Sequence, residues 1–283
     1  MFVSKRRCWR GFNDRIWAKA ACNEVIADAA LIVTTFNRPK ALDRVLESIV
    51  AQDVRPGLVV IVDDGSGVDS RSIVEKFLSV LDIVYCWMPD RGFRAARIRN
   101  LGILRSRDFG RLIFVDGDCV LPPHFVRAHL ELGSKSNKII AGNRILLGKG
   151  ITEDIENGNT RLDKVFFSRF LFQWLPLGIL RDLKRDCWQT VRTCNMSVSA
   201  HNVRLIQGFD EEYEGWGRED SDFVIRLLRL DDISIRSGRL ATTVAHLFHS
   251  EEKSKSCSPN EARFQRVISS SRIRSLKSCL KNQ

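Results

Sequence analysis

No apolar run in this 283-residue chain approaches the roughly 20 residues that a membrane-spanning helix requires. Near the start, Asp14, Lys19, Asn23 and Glu24 interrupt any signal-peptide core, so the expectation is a protein that stays in the cytoplasm. None of the eight cysteines forms a C-x-x-C pair, which argues against zinc and against a disulfide framework, and for a reducing compartment. There is no internal repeat and no low-complexity linker. The chain also has no glycine-rich phosphate loop at its first strand, where TTFNRPK stands instead.

What is present fits a catalytic domain able to bury a sizeable core. Hydrophobic residues make up 44% of the chain and charged residues 28%, ordinary for a globular protein. The net charge of +11 is uneven: residues 1–19 carry +5, residues 253–283 carry +7, and the middle is nearly neutral. That middle has no basic track for nucleic acid. Basic ends suit either an anionic membrane surface or glycolipid, or plain solvation of the termini.

Short β-branched runs alternate with helical patterns. ALIVTTF, LVVIVDDGS, IVYCWM and RLIFVDGD read as strands. Helices are expected from Pro39 to Ile49 and over 70–81, 93–106 and PPHFVRAHLELG. This alternation predicts an α/β fold, a Rossmann-like doubly wound and mostly parallel sheet, with ligands beyond the carboxyl ends of the strands. Both DDGS and DGD fall at such ends.

The segment GWGREDSD (215–222) sets an aromatic ring between two glycines and puts three carboxylates in four positions. Glu219, Asp220 and Asp222 repel one another unless a cation or sugar hydroxyls sit among them. A surface turn followed by an acidic helix start is the plainer reading, with Asp222 as a helix cap. In Asp116-Gly117-Asp118, two carboxylates one residue apart can reach one hard divalent cation. His246 and His249, three residues apart, can face one point.

Taken together and in this order, the motifs resemble the family-2 inverting glycosyltransferases of the GT-A fold. The second half is similar to the galactosyltransferase-type domain of β-1,4-galactosyltransferases and bacterial chondroitin-polymerase-like enzymes. The resemblance covers roughly residues 29–250. It implies a domain at 29–252, with a nucleotide-binding half (29–140) and an acceptor half (141–252), flanked by basic segments 1–28 and 253–283.

The resemblance also implies roles. Thr35, Asn37, Arg38 and Asp64 would hold the nucleoside of a UDP-sugar. Arg94, Arg99, Asn100 and Asp116 would complete the donor site, with the diphosphate near the arginines. Asp118, His249 and His246 would ligate Mn2+, or Mg2+ in its place. Asp220 would be the catalytic base, assisted by Glu219. Trp216, Glu219 and Asn195 would bind the saccharide or glycolipid acceptor. For Asn195 a core-strand position is the other reading. The expected product is a surface glycan, lipopolysaccharide or capsule. A sugar nucleotidyltransferase and a non-catalytic carbohydrate-binding relative are the competing readings. The stretch 166–180, FFSRFLFQWLPLGIL, reads equally as a buried helix or as an interfacial anchor at the inner membrane face.

Overall fold

The computed structural model describes residues 26–160, 162, 187–250 and 259–281. The apolar stretch 166–180 and residues 1–25 of the basic N-terminal segment lie outside the described residues. Strands β1 (Ile26–Thr35), β2 (Arg55–Asp63), β3 (Ile83–Trp87) and β4 (Arg111–Asp116) alternate with helices α1 (Pro39–Val50), α2 (Val68–Glu75) and α3 (Ala95–Arg105). These follow the expected positions closely. Beyond them come β5 (Cys119–Val120), α4 (Phe125–Leu132), β6 (Lys138–Ala141), β7 (Arg144–Leu146) and α5 (Lys149–Glu156). The chain continues through β8 (Asn195–Ser199), α6 (Ala200–Leu205), α7 (Glu219–Leu228), β9 (Ser234–Ser237), β10 (Val244–His246) and α8 (Pro259–Ile268).

The main sheet has the order β3-β2-β1-β4-β8-β6-β9. Its β3-β2-β1-β4 portion is parallel, β8 runs antiparallel to both neighbours, and β6 and β9 are parallel. Strand β1 reads as continuous apolar sequence because both of its faces are covered. Leu31 and Val33 point into a core with α1 and α4, while Ala30 and Ile32 point into a second core with α3 and α7. Stacked Phe209 and Phe223, with Phe114 edge-on to both, fill the second core. A small sheet, β5-β10-β7, sits at the end of β4. It is built from pieces too short to show a period in the sequence.

The basic C-terminal segment is packed on this body over residues 259–281. Phe264 and Val267 of α8 are buried, and Trp188 packs on Phe264 with ring centroids 5.3 Å apart. Arg272 then joins two buried acids. One of its nitrogens binds Asp210, and Nη2 donates to Asp222 Oδ1 at 2.8 Å. Asp222 is therefore no helix cap: its other oxygen accepts from Arg226 Nε at 2.7 Å. Backbone N–H groups of Leu276 and Lys277 donate to Asp210 as well.

Removing one partner from such a buried ion network leaves uncompensated charge, at a cost of about 3 kcal/mol. Arg272→Ala is expected to lower the stability measured by urea unfolding by that amount. An unchanged unfolding midpoint would show that the C-terminal strap carries no such energy.

Candidate active site

Three clusters meet beyond the carboxyl ends of β1, β2 and β4. The first lies at the turns after β1 and β2. Asp63 is fully buried and structural: its Oδ1 accepts from the N–H groups of Gly65 and Ser66, and its Oδ2 from the Tyr85 hydroxyl. Gly65 has φ +106°, and a Cβ there would lie 2.5 Å from the backbone of Asp90, so the turn requires glycine. Asp64 accepts from the Arg94 backbone N–H at 2.7 Å, and the Arg94 guanidinium lies 3.5 Å from its other oxygen. That oxygen has no hydrogen-bond partner, and burial, with Arg94 opposing it, raises the Asp64 pKa. Thr35 Oγ1 is likewise buried without a partner, and Asn37 is tied to Ser66 and Gly67.

The second cluster surrounds Arg99. This guanidinium, buried on α3, donates from Nη1 to Glu219 Oε1 and Asp220 Oδ1, each at 3.2 Å, and approaches Asp116 Oδ1 at 3.5 Å. Burial opposes its charge, but Asp220, Asp116 and Glu219 outweigh that and raise its pKa. The carboxylates respond in turn. Burial pushes Asp116 up to about 6, with Arg99 opposing and Asp118 reinforcing. Burial, then the neighbouring Asp220 charge, pushes Glu219 up to about 7. Asp220 is also held by Thr193, whose hydroxyl donates to Oδ1 at 2.7 Å and whose N–H donates to Oδ2 at 3.1 Å.

The acids reach this point because α7 begins at Glu219, directly after Gly215 (φ +76°), Gly217 (φ +104°) and Arg218 in the left-handed region. Trp216 stands out of this turn with 71% of its surface exposed. The Gly215 N–H donates to the Phe93 carbonyl, which ties the turn to the loop before α3.

The third cluster is centred on Asp118. Its Oδ2 accepts from Arg38 Nη1 at 3.0 Å and lies 3.6 Å from His249 Nε2, while Oδ1 lies 3.5 Å from His246 Nε2. Arg38 also donates to Glu156 and to the Phe248 carbonyl. Burial lowers the His246 pKa, favouring the neutral imidazole that a metal needs. Imidazoles beside carboxylates are a donor set that fits a divalent cation such as manganese, and Asp116 Oδ1, which accepts no hydrogen bond though Arg99 lies 3.5 Å away, is a further hard donor.

Two expected site residues are placed elsewhere. Asn100 is fully buried, and its amide is spent on Phe209, Glu211 and Ser278. Asn195 lies in the buried strand β8, as in its core-strand reading. Its Oδ1 accepts from His129 Nε2 at 3.0 Å, and its Nδ2 donates to the carbonyls of Asn143 and Thr242. Thr193 and Glu156, which hold Asp220 and Arg38, carry no motif that could single them out in the sequence.

Comparison with known proteins agrees with this geometry. Residues 30–198 match Glycosyl transferase family 2, and residues 183–252 match a domain described as the N-terminal domain of galactosyltransferase. The chain is 27% identical over 226 residues to the chondroitin synthase of Pasteurella multocida (strain Pm70), covering 70% of this chain and 22% of that protein. It is 30% identical over 223 residues to the hyaluronan synthase of Pasteurella multocida, covering 71% and 22%. It is 27% identical over 218 residues to the validoxylamine A glucosyltransferase of Streptomyces hygroscopicus subsp. limoneus, covering 70% and 47%. The chain thus spans between about a fifth and a half of these relatives' lengths. Among solved structures, S. aureus TarS in complex with UDP-GlcNAc superposes with a TM-score of 0.59 at 17% identity, over 85% of this chain and 64% of that one. The mannosyltransferase PcManGT from Pyrobaculum calidifontis, in complex with GDP-Man and Mn2+, gives 0.55 at 14%, over 80% and 58%. The fold is the GT-A fold, and the chain belongs to glycosyl transferase family 2.

Proposed function

We propose that this chain is a metal-dependent inverting glycosyltransferase that moves a hexose or N-acetylhexosamine from a UDP-sugar to a saccharide acceptor. The observation that carries the reading is the meeting of Asp116, Asp118, His246 and His249 with Glu219 and Asp220 at the carboxyl ends of the parallel strands, bridged by Arg99. The fold neighbours include complexes with UDP and with Mn2+, ligands that suit this donor set.

In this reading the turns after β1 and β2 cradle the nucleoside, with Thr35 Oγ1 and the Asp64 oxygen that accepts no hydrogen bond offering unspent capacity. Arg94 and Arg38 present guanidinium forks to the diphosphate, Arg38 turning away from Asp118 as substrate arrives. Asp118 and His249, with His246, would hold the cation, which when bound offsets the charge developing on the departing UDP. Asp220 takes the proton of the acceptor hydroxyl as that oxygen attacks the anomeric carbon opposite the leaving group. Thr193 and Arg99 orient its carboxylate, and Oδ2, with one contact from Thr193, keeps a lone pair for the proton. Trp216 offers an exposed ring on which an acceptor sugar can stack.

The relatives named as chondroitin and hyaluronan synthases make a glycan the fitting product class, here a surface polysaccharide or lipopolysaccharide. No described helix is long and apolar enough to cross a membrane. The basic ends give the chain an electrostatic route to the anionic inner face of the membrane. Co-sedimentation with anionic vesicles at low salt, lost at high salt, is the expected outcome. No co-sedimentation at low salt would remove that part of the reading.

The decisive experiment is UDP release from a panel of UDP-sugars with Mn2+ and candidate saccharide acceptors. One donor is expected to turn over, and Asp220→Asn is expected to lower the rate by roughly 10²–10⁴-fold. Full activity in that variant would reassign the base, and absence of UDP binding would overturn the transferase reading.

Glu219 supplies an independent prediction. Its folded-state pKa is raised from 4.5 to about 7, so the folded chain holds this proton more tightly than the unfolded chain does. The stability this contributes is present at low pH and is lost as pH rises from about 4.5 to about 7. Thermal melts of cation-free protein across that window are expected to show a smaller fall in Tm for Glu219→Gln than for wild type, the other buried carboxyls with raised pKa, Asp116 and Asp64 among them, keeping the remainder. Equal slopes would disprove it.

A further inference from the structure

Cys119 directly follows the second aspartate of the D-x-D turn and is fully buried. Strand β5 places it opposite His246 in the antiparallel pairing with β10. Directly opposed residues of such a pair present their side chains on the same face. The Cys119 Sγ lies 3.8 Å from Asp118 Oδ1. One oxygen of Asp118, the sulfur of Cys119 and one ring nitrogen of His246 all lie within 4.8 Å of one another. A second buried thiol, Cys194, receives a 3.7 Å contact from Arg144 Nη1.

The transfer reaction has no need of this sulfur. Magnesium takes oxygen ligands, and manganese is served by oxygen and imidazole. Cys, His and Asp together are zinc donors, with bonds of roughly 2.3 Å to sulfur, 2.0–2.1 Å to nitrogen and 2.0–2.2 Å to oxygen. We propose that Cys119, His246 and Asp118 form a mixed sulfur–nitrogen–oxygen site that binds a zinc ion in competition with the harder cation of the transfer reaction. The inference rests on the assignment of Asp118 and His246 to the cation site proposed above. Spacing alone argues against zinc in this chain, because the sulfur and the imidazole are brought together only by the β5–β10 pairing.

The three donors must close onto one ion from within 4.8 Å of one another. Arg38 sits on the other oxygen of Asp118, Oδ2, while Oδ1 faces the sulfur and the imidazole. His249, 3.6 Å from Asp118, is the nearest further nitrogen donor. Coordination replaces the proton of the Cys119 thiol, which passes to solvent, so the sulfur binds as thiolate. Cys194, already engaged by Arg144, is assigned no bond to the ion. Two ions sharing Asp118 and His246 cannot bind at once, so zinc would inhibit transfer.

The test replaces zinc by Co2+, whose bond to a thiolate gives a charge-transfer absorption in the near ultraviolet. Wild-type protein titrated with Co2+ is expected to develop this band, and Zn2+ to abolish it. Cys119→Ser is expected to lose the band and to bind Zn2+ at least about tenfold more weakly, while Mn2+ binding, followed by electron paramagnetic resonance, is retained. Cys194→Ser is expected to keep the band. A wild type without the band, or a band that survives in Cys119→Ser, overturns the proposal. Loss of Mn2+ binding together with the band would make Cys119 a folding residue and overturn it equally. The cobalt–thiolate band without any UDP binding would leave this site standing and remove the transferase reading. UDP binding with Mn2+ but no band would do the reverse.

Discussion

Four carboxylates, Asp116, Asp118, Glu219 and Asp220, converge at one edge of the sheet, and cationic side chains lie among them. Like charges this close in a buried site raise one another's proton affinity or drive the chain apart. Arg99 meets three of them and Arg38 the fourth. Because Arg99 belongs to α3, while its partners end β4 and begin α7, one guanidinium joins the first half of the domain to the second. The start of α7 and the D-x-D turn are therefore held by the same residue. Two guanidinium groups set among four carboxylates offset only part of their charge, so the site keeps an acidic excess.

The parallel portion of the fold was legible because its signals are local. Strands covered on both faces need unbroken apolar runs, and β1, β2 and β4 supply them. A turn with glycines on either side of Trp216 needs left-handed backbone, and the structure has it at Gly215, Arg218 and Gly217. The convergence of D-x-D, the histidine pair and the acidic helix start was expected from the order of the motifs, and the geometry brings these residues together.

What was not legible depends on contacts across long separations. Nothing in RGFRAARIRN says that Arg99 faces inward to carboxylates 120 residues later while Asn100 turns to a backbone carbonyl. An Asn beside a presumed sugar site reads the same whether it faces ligand or core. Asn195 faces the core because His129 needs a partner for Nε2. The antiparallel insertion of β8 between β4 and β6 also escapes periodicity, since a buried strand looks alike in either direction. The C-terminal segment looked like a solvated tail because its cationic residues are visible in sequence and its buried anionic partners are not.

Those partners give the order of synthesis a structural meaning. Asp210 and Asp222 leave the ribosome some 50 to 60 residues before Arg272, the cation that joins them. During elongation Asp210 and α7, with Asp222 already paired to Arg226 one turn on, emerge before the arginine that joins the two acids. Domains fold progressively as they are made, and in this one the tie between Asp210 and α7 is completed late. Arg272 joins Asp210 to α7 only after nearly all of the described chain exists.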